Sequence, residues 1–274
     1  MIRDTTLSLI GSGAMAEAMI RGILNQKLLN PDDITASGPR PERGQELRGR
    51  YGVKTVTDNL QAASAGRIVV LSVKPQTVRK VLPEIRDALA PDSLIISIVA
   101  GTPIRVIRKG LSVSKVVRAM PNTPGQIGRG MTVWTATPEV DELGRRQAQA
   151  ILGALGRELY VGDEGDLDRA TALSGTGPAY IFLFMEALID AGVHLGFSRR
   201  IAQELVYQTM EGAIAIARET GVHPVELRNR VTSPGGTTAE ALYQFEKGGL
   251  RTVVSKGIWA AYQRSVALGE LGDE

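Results

Sequence analysis

The chain has 274 residues, 43% hydrophobic and 22% charged, which is enough to bury a sizeable core and excludes a disordered polymer. Its formal charge of +3 is spread along the sequence with no basic stripe between aromatics, so nucleic acid is not an expected partner. There is no cysteine, which excludes disulfide and thiolate chemistry and makes a reducing cytoplasm the expected location.

The N-terminus lacks the long apolar core of a signal peptide and runs into the first expected strand, Thr6–Ile10. Ile10-Gly11-Ser12-Gly13-Ala14-Met15-Ala16 follows and opens a helix over Ala14–Asn25. In this G-x-G-x-x-A pattern the first glycine permits a tight turn and the second lets a pyrophosphate approach the backbone. The third position must be small so that helix and strand pack closely. Its place between first strand and first helix favours a dinucleotide turn, contacted from Ile10 to Met15, over a plain glycine-rich turn.

The second strand is expected over Ile34–Ser37, with a helix over Pro41–Tyr51. NAD sites place a carboxylate at the end of this strand, on the ribose. Here Ser37-Gly38-Pro39-Arg40-Pro41-Glu42-Arg43 offers instead a hydroxyl for a 2′-phosphate and Arg40 or Arg43 to pair with it. NADPH is therefore the expected cofactor, with NADH possible. The alternative places both arginines on a solvated helix start. Asn59 begins the helix after the third strand and reads either as a cap or as an adenosine-ribose contact.

Ile68–Val73 and Leu94–Val99 are near-continuous runs of Val, Ile and Leu, the pattern of strands covered on both faces of a parallel sheet. A helix over Thr77–Leu89 separates them. Ligands bind open α/β sheets at the carboxyl ends of the strands. Val73-Lys74-Pro75 and Ala100 stand at those ends. Lys74 reads either as a surface lysine or as a group near the nicotinamide or its phosphates. Val113–Ala119, Met131–Thr135 and Leu159–Val161 complete the strands of an α/β, Rossmann-type, doubly wound domain.

After about Asp163 the strand signals stop, and the expected division is residues 1–163 and 164–274. Pro178–Leu195, Ile201–Glu219, Val225–Val231, Thr237–Lys247 and Leu250–Leu268 read as helices. Tyr180–Met185 is apolar all round and so requires burial on every side. An all-α dimerisation domain satisfies that, as would a monomer whose helices pack on the sheet domain. The apolar run from Ala179 meets Glu186 at once after Met185, too short a stretch to span a bilayer, so no membrane partner is expected.

Val231-Thr232-Ser233-Pro234-Gly235-Gly236-Thr237-Thr238 packs hydroxyls, two glycines and a proline into a helix lead-in. Pro234 is expected one step inside the helix start, where its missing N–H is not needed. Uncovered amides at the positive end of a helix make a site for an anion such as a substrate carboxylate. A well-capped turn is the alternative. His194 and His223 have no metal-like partner at i+3 or i+4, so no metal is expected.

Taken together, the Gly11–Ala16 turn, Ser72-Val73-Lys74-Pro75-Gln76, Arg118-Ala119-Met120-Pro121-Asn122-Thr123-Pro124, Ala172–Tyr180 and Arg230–Thr238 resemble the pyrroline-5-carboxylate reductase family, in order along the whole chain. The resemblance implies NADPH-dependent reduction of 1-pyrroline-5-carboxylate to L-proline by hydride transfer to the cyclic imine carbon, the last step of proline biosynthesis. It implies an NADP-binding Rossmann domain and a helical domain interlocked with a partner's in a homodimer or higher homo-oligomer. Ser37 and Asn59 would then lie on the adenosine side of the cofactor. Val73, Lys74, Pro75 and Ala100 would lie along its nicotinamide side. Glu164 and the loop of Ser233, Gly235, Gly236, Thr237 and Thr238 would hold the substrate, with the Thr238 hydroxyl on the ring nitrogen. Two other functions fit a Rossmann fold followed by helices. A β-hydroxyacid dehydrogenase or another imine reductase is one, but hydroxyacid enzymes need a lysine on a helix of the second domain, and here only the late Lys247 and Lys256 are present. A dinucleotide sensor without activity is the other.

Overall fold

The computed structural model describes Ile2 and residues 5–270. β1 (Leu7–Ile10), β2 (Ile34–Ser37), β4 (Ile68–Leu71) and β5 (Leu94–Ser97) are buried at every position. They join β3 (Lys54–Val56), β6 (Val116–Met120), β7 (Gly130–Ala136) and β8 (Gly156–Tyr160) in an eight-stranded sheet of order β3-β2-β1-β4-β5-β6-β7-β8. All neighbours pair in parallel except β6 and β7, where Met120 faces Val133 in antiparallel register.

Successive strand residues point to opposite faces, so each buried strand feeds two cores. Leu9, Ile68, Val70 and Ile96 enter one, together with Met19, Ile20 and Ile23 of α1 (Ala14–Asn25) and Ile151 and Leu152 of α6 (Glu142–Gly153). Ile10, Val69, Leu71 and Ile95 enter the other, with Val78 and Leu82 of α4 (Pro75–Ile85) and Ile107 of α5 (Ile104–Leu111). The remaining cover is α2 (Pro41–Tyr51) and α3 (Asn59–Ala65).

Several expected bounds shift. Ile68–Val73 and Leu94–Val99 stop two residues early, because Ser72 and Ile98 turn away to begin the loops at the ligand edge. β3, the third strand expected before Asn59 without bounds, is short, only partly buried and at the sheet edge. α4 starts at Pro75 rather than Thr77, since proline suits a first helical position. It gives way at Ile85 to a 3-10 turn instead of reaching Leu89, and Pro83 withholds an N–H near that end.

The link from β6 to β7 contains a 3-10 turn, Thr123–Ile127, packed against α1. Asn122 fixes it at both ends of its amide. Its Oδ1 accepts from Met131 N at 2.8 Å and its Nδ2 donates to Ser174 O at 3.1 Å. Ser174 belongs to a π-helical turn, Thr171–Gly175, between α7 (Asp166–Ala170) and α8 (Gly177–His194).

The chain forms two compact units. The first runs through Pro178 and resumes at Ala261; the second is Ala179–Ala260. The second holds most of α8, then α9 (Arg199–Thr220), α10 (Pro224–Arg230), α11 (Thr237–Lys247) and the start of α12 (Leu250–Glu270). Ser198 caps α9 by accepting from Ile201 N, and His223 Nδ1 caps α10 by accepting from Val225 N at 3.3 Å. Among the described hydrophobic residues of this unit only Ile189 and Ala202 are buried. Phe182 and Leu183 are 59% and 66% exposed, so a single chain does not supply the burial that the all-round apolar α8 requires. Helical backbone is also continuous over Asp166–His194, 29 residues with mean hydropathy 1.4 in its most apolar window. By length and composition alone it is long enough to cross a membrane, unlike the short run read from sequence.

Candidate active site

The site begins at the turn after β1. Gly11 has φ +107, and a methyl built on it would lie 2.7 Å from the Ser72 carbonyl oxygen, so only glycine fits. Gly11 N donates to Ser37 O at 3.1 Å, while Ser72 Oγ donates to Gly11 O at 2.8 Å. β2 and β4 thus clamp the turn from both sides. Gly38 packs so tightly that a methyl there would stand 2.1 Å from Ser12 Oγ. Gly13, the residue before α1, has open space around its Cα, and no side chain caps the helix. The first amides of α1 therefore point at an uncovered surface, as a pyrophosphate requires. Ile10 lies buried beneath this turn, and Ala14 and Met15 form the first turn of the helix.

At the end of β2 the structure separates residues that sequence treats alike. Arg43 Nε donates to Ser12 O at 3.1 Å, Nη1 to Glu46 at 2.9 Å, and Nη2 pairs with Glu17. Glu17 also receives Arg50 at 2.5 Å and Tyr51 Oη at 2.9 Å. Burial alone would raise the Glu17 pKa, but the hydrogen bonds from Arg43 and Tyr51 outweigh it and hold the carboxyl below its usual 4.5. Arg43 is thus committed to shaping the turn. Arg40 is exposed and lines a cleft of about 360 Å³ with Ser12, Gly13, Ala14 and Glu46. Ser37 has no exposed surface, and its hydroxyl donates to Asn59 Oδ1 at 2.8 Å. Asn59 Nδ2 in turn donates to Glu84 at 3.2 Å. The cap of α3 is Asp58, which accepts from Leu60 N at 2.8 Å, so Asn59 is not the cap. Direct approach of a phosphate to Ser37 would require moving Asn59, and Ser37 stands here as the support of Asn59.

On the far side of β1, Val73 packs on the second core while Lys74 and Pro75 are exposed at the start of α4. Ala100 precedes Gly101, whose φ of +66 turns the chain toward α5. Glu164 comes to the same loop. Its Oε1 accepts from Ile104 N at 2.7 Å and from Arg118 Nη1 at 2.8 Å. Arg118 is nearly buried, 3.7 Å from Asp168 Oδ1, which accepts from Ser265 Oγ at 2.7 Å. Glu164 is therefore held by the protein itself. Sequence reasoning missed Glu17, Asp168, Ser265 and the role of Arg118. Only Arg118 carried a signal, a charge inside an otherwise apolar strand.

In the second unit Ser233–Gly236 is a turn closed by Gly236 N donating to Ser233 O at 3.1 Å, with Gly235 at φ +70. Proline followed by a left-handed glycine is the signature of a type II turn. Pro234 therefore sits in this turn and not inside the helix, which starts at Thr237. A methyl on Gly236 would lie 2.5 Å from Ser233 Oγ. No side chain caps α11, leaving the amides of Thr237 and Thr238 at an open helix start. Among the described residues no cluster of three or more His, Asp or Glu side chains is placed to hold a metal.

A glycine turn feeding an uncapped helix, a β2 end without a carboxylate but with an exposed arginine, and accessible loops after β4 and β5 define an NADP-dependent oxidoreductase of the Rossmann type. The helical part, residues 164–268, matches the pyrroline-5-carboxylate reductase dimerisation family. Residues 6–101 match the family described as NADP oxidoreductase, coenzyme F420-dependent. The chain is 41% identical to pyrroline-5-carboxylate reductase of Corynebacterium melassecola over 97% of its own length and 99% of the relative's. The NADP-bound crystal structure of the Plasmodium falciparum pyrroline carboxylate reductase superposes with a TM-score of 0.89 at 32% identity, covering 98% of this chain and all of that one. The Coxiella burnetii pyrroline-5-carboxylate reductase gives 0.89 at 37% identity, covering 96% and 98%. The chain belongs to the pyrroline-5-carboxylate reductase family.

Proposed function

We propose that the enzyme reduces 1-pyrroline-5-carboxylate to L-proline with NADPH, the last step of proline biosynthesis. The observation that carries this is the end-to-end match to pyrroline-5-carboxylate reductases, with the cofactor turn and the Ser233–Thr238 turn both in place. When bound, NADPH would supply a hydride from nicotinamide C4 to the imine carbon, C2 of the pyrroline ring, which becomes C5 of proline.

The chain's own residues bind and orient. The α1 amides and the Ile10–Met15 turn take the pyrophosphate, and Arg40 pairs with the 2′-phosphate. Asn59, braced by Ser37, contacts the adenosine ribose. Val73, Lys74, Pro75 and Ala100 line the nicotinamide side. Ser233, Gly235, Gly236 and Thr237 hold the substrate carboxylate with amides and hydroxyls, and Glu164 orders the substrate side through the α5 start that it caps. Thr238 hydrogen-bonds the ring nitrogen. A hydroxyl is a poor acid at neutral pH, so the imine enters already protonated from solution and the protein fixes its geometry. The working form is a cytoplasmic homodimer or higher homo-oligomer built through the helical unit, whose exposed apolar face needs a partner.

NADPH oxidation should be seen with pyrroline-5-carboxylate, more slowly with NADH, and not with 3-hydroxy acids. Thr238→Ala should lower kcat by about tenfold or more with the KM for NADPH unchanged. Steady-state kinetics equal to the unaltered enzyme would overturn the Thr238 assignment. NADPH binding without turnover would favour the sensor.

A further inference from the structure

The last turn of α12 comes back to the first unit at the nicotinamide side. Leu268 lines a cleft of about 260 Å³ with Pro75, Gln76, Ala100, Thr102 and Val106. A methyl built on Gly101 would stand 3.2 Å from Leu268 Cβ, and one on Gly269 would stand 3.8 Å from Pro103 Cγ. The loop after β5 is therefore gripped from two directions. Glu164 holds its far end by accepting from Ile104 N, and Leu268 lies along its near end.

These two grips are one construction. Arg118 reaches Glu164 at 2.8 Å and Asp168 at 3.7 Å, and Ser265, one helical turn before Leu268, donates to Asp168 at 2.7 Å. Ser265 is itself buried. A nearly buried guanidinium shared by two carboxylates is held rigidly by its planar fork. It serves as a fixed post from which both Glu164 and the end of α12 are hung.

We propose that Leu268 is the outer wall of the nicotinamide cleft and that Arg118, Asp168 and Ser265 are positioning residues that set it there. The inference rests on the reading that Ala100 lies beside the nicotinamide. It assigns the end of the chain a part in cofactor placement that neither glycine turn provides. Because the nicotinamide is common to NADPH and NADH, the wall acts on both alike, in contrast to a residue at the 2′-phosphate.

The test compares three variants of the full chain, Leu268→Ala, Ser265→Ala and Ala100→Val, by steady-state kinetics with both cofactors and by thermal melting. Leu268→Ala and Ser265→Ala are expected to raise KM by the same factor for NADPH and NADH, about three- to tenfold, the scale of one lost apolar side chain or one hydrogen bond. Ala100→Val is expected to raise both as well. If Ala100→Val acts and the other two only lower Tm with kinetics unchanged, the wall is overturned while the nicotinamide reading stands. If none of the three moves either KM, both fall. An effect of Leu268→Ala confined to NADPH also overturns the proposal.

Discussion

The two units obey the same packing rules and arrive at opposite surfaces. The first encloses a two-faced sheet between two cores, each built from alternate residues of the same strands. The second has long helices, α9 among them capped by Ser198, and only Ile189 and Ala202 as buried hydrophobic residues among those described. Local signals such as caps and periodicity suffice to make helices. They do not make a domain, which requires apolar surface to be removed from water. The sheet unit finds that burial within one chain, and the helical unit is written for another copy.

The strongest way to break this contrast is to put a charge on α8. Phe182→Asp should abolish assembly and activity, because an unpaired carboxylate in an apolar interface costs several kcal/mol. Titration with NADPH should still report binding by the sheet unit. Loss of both functions together would mean that the units do not stand apart. Next in size, Gly11→Ala forces a side chain against the Ser72 carbonyl at φ +107 and should cost about 2–4 kcal/mol in the sheet unit, read as a fall in Tm and in NADPH affinity.

Glu17→Gln should cost about 1–3 kcal/mol at neutral pH, since Arg43 loses its charged acceptor. The folded-state pKa of Glu17 lies below its ordinary 4.5, so its contribution is complete above that pH and is lost as pH falls through the folded value. The Tm difference between the unaltered chain and Glu17→Gln should therefore shrink on acidification below about 4.5, and a constant gap would refute the charge–charge account. The smallest effect sharpens the cofactor end. Arg40→Ala should raise KM for NADPH about tenfold and leave NADH alone, whereas Arg43→Ala should affect both through the turn.

Much of the sheet unit was legible because continuous apolar strands and a glycine turn are local signals. β3 was expected by its place before Asn59 but given no bounds, because a three-residue, half-exposed edge strand carries almost no apolar pattern. Sequence chemistry correctly marked the β2 end as lacking a carboxylate, but it offered Arg40 and Arg43 as equals. Only packing shows that Arg43 is spent on Glu17 and the Ser12 carbonyl. Ser37 was read as a phosphate ligand for its hydroxyl at the end of a strand without a carboxylate, yet that hydroxyl is buried and donates to Asn59. Pro234 was placed inside a helix by the rule for first positions, when the glycine behind it makes a type II turn the better solution. Asp168 and Ser265 lie 97 residues apart, and no local pattern announces such a bond.

The reversal of β7 has a consequence for how this part of the chain can change over evolutionary time. In a wholly parallel sheet each link departs through a crossover and can lengthen away from the ligand. Here Pro121–Arg129 doubles back and stays against α1, while Asn122 ties it to the start of β7 and to the π-helical turn at once. An insertion would have to preserve three neighbours together, so length variation is expected to collect elsewhere on the molecule and to spare this hairpin.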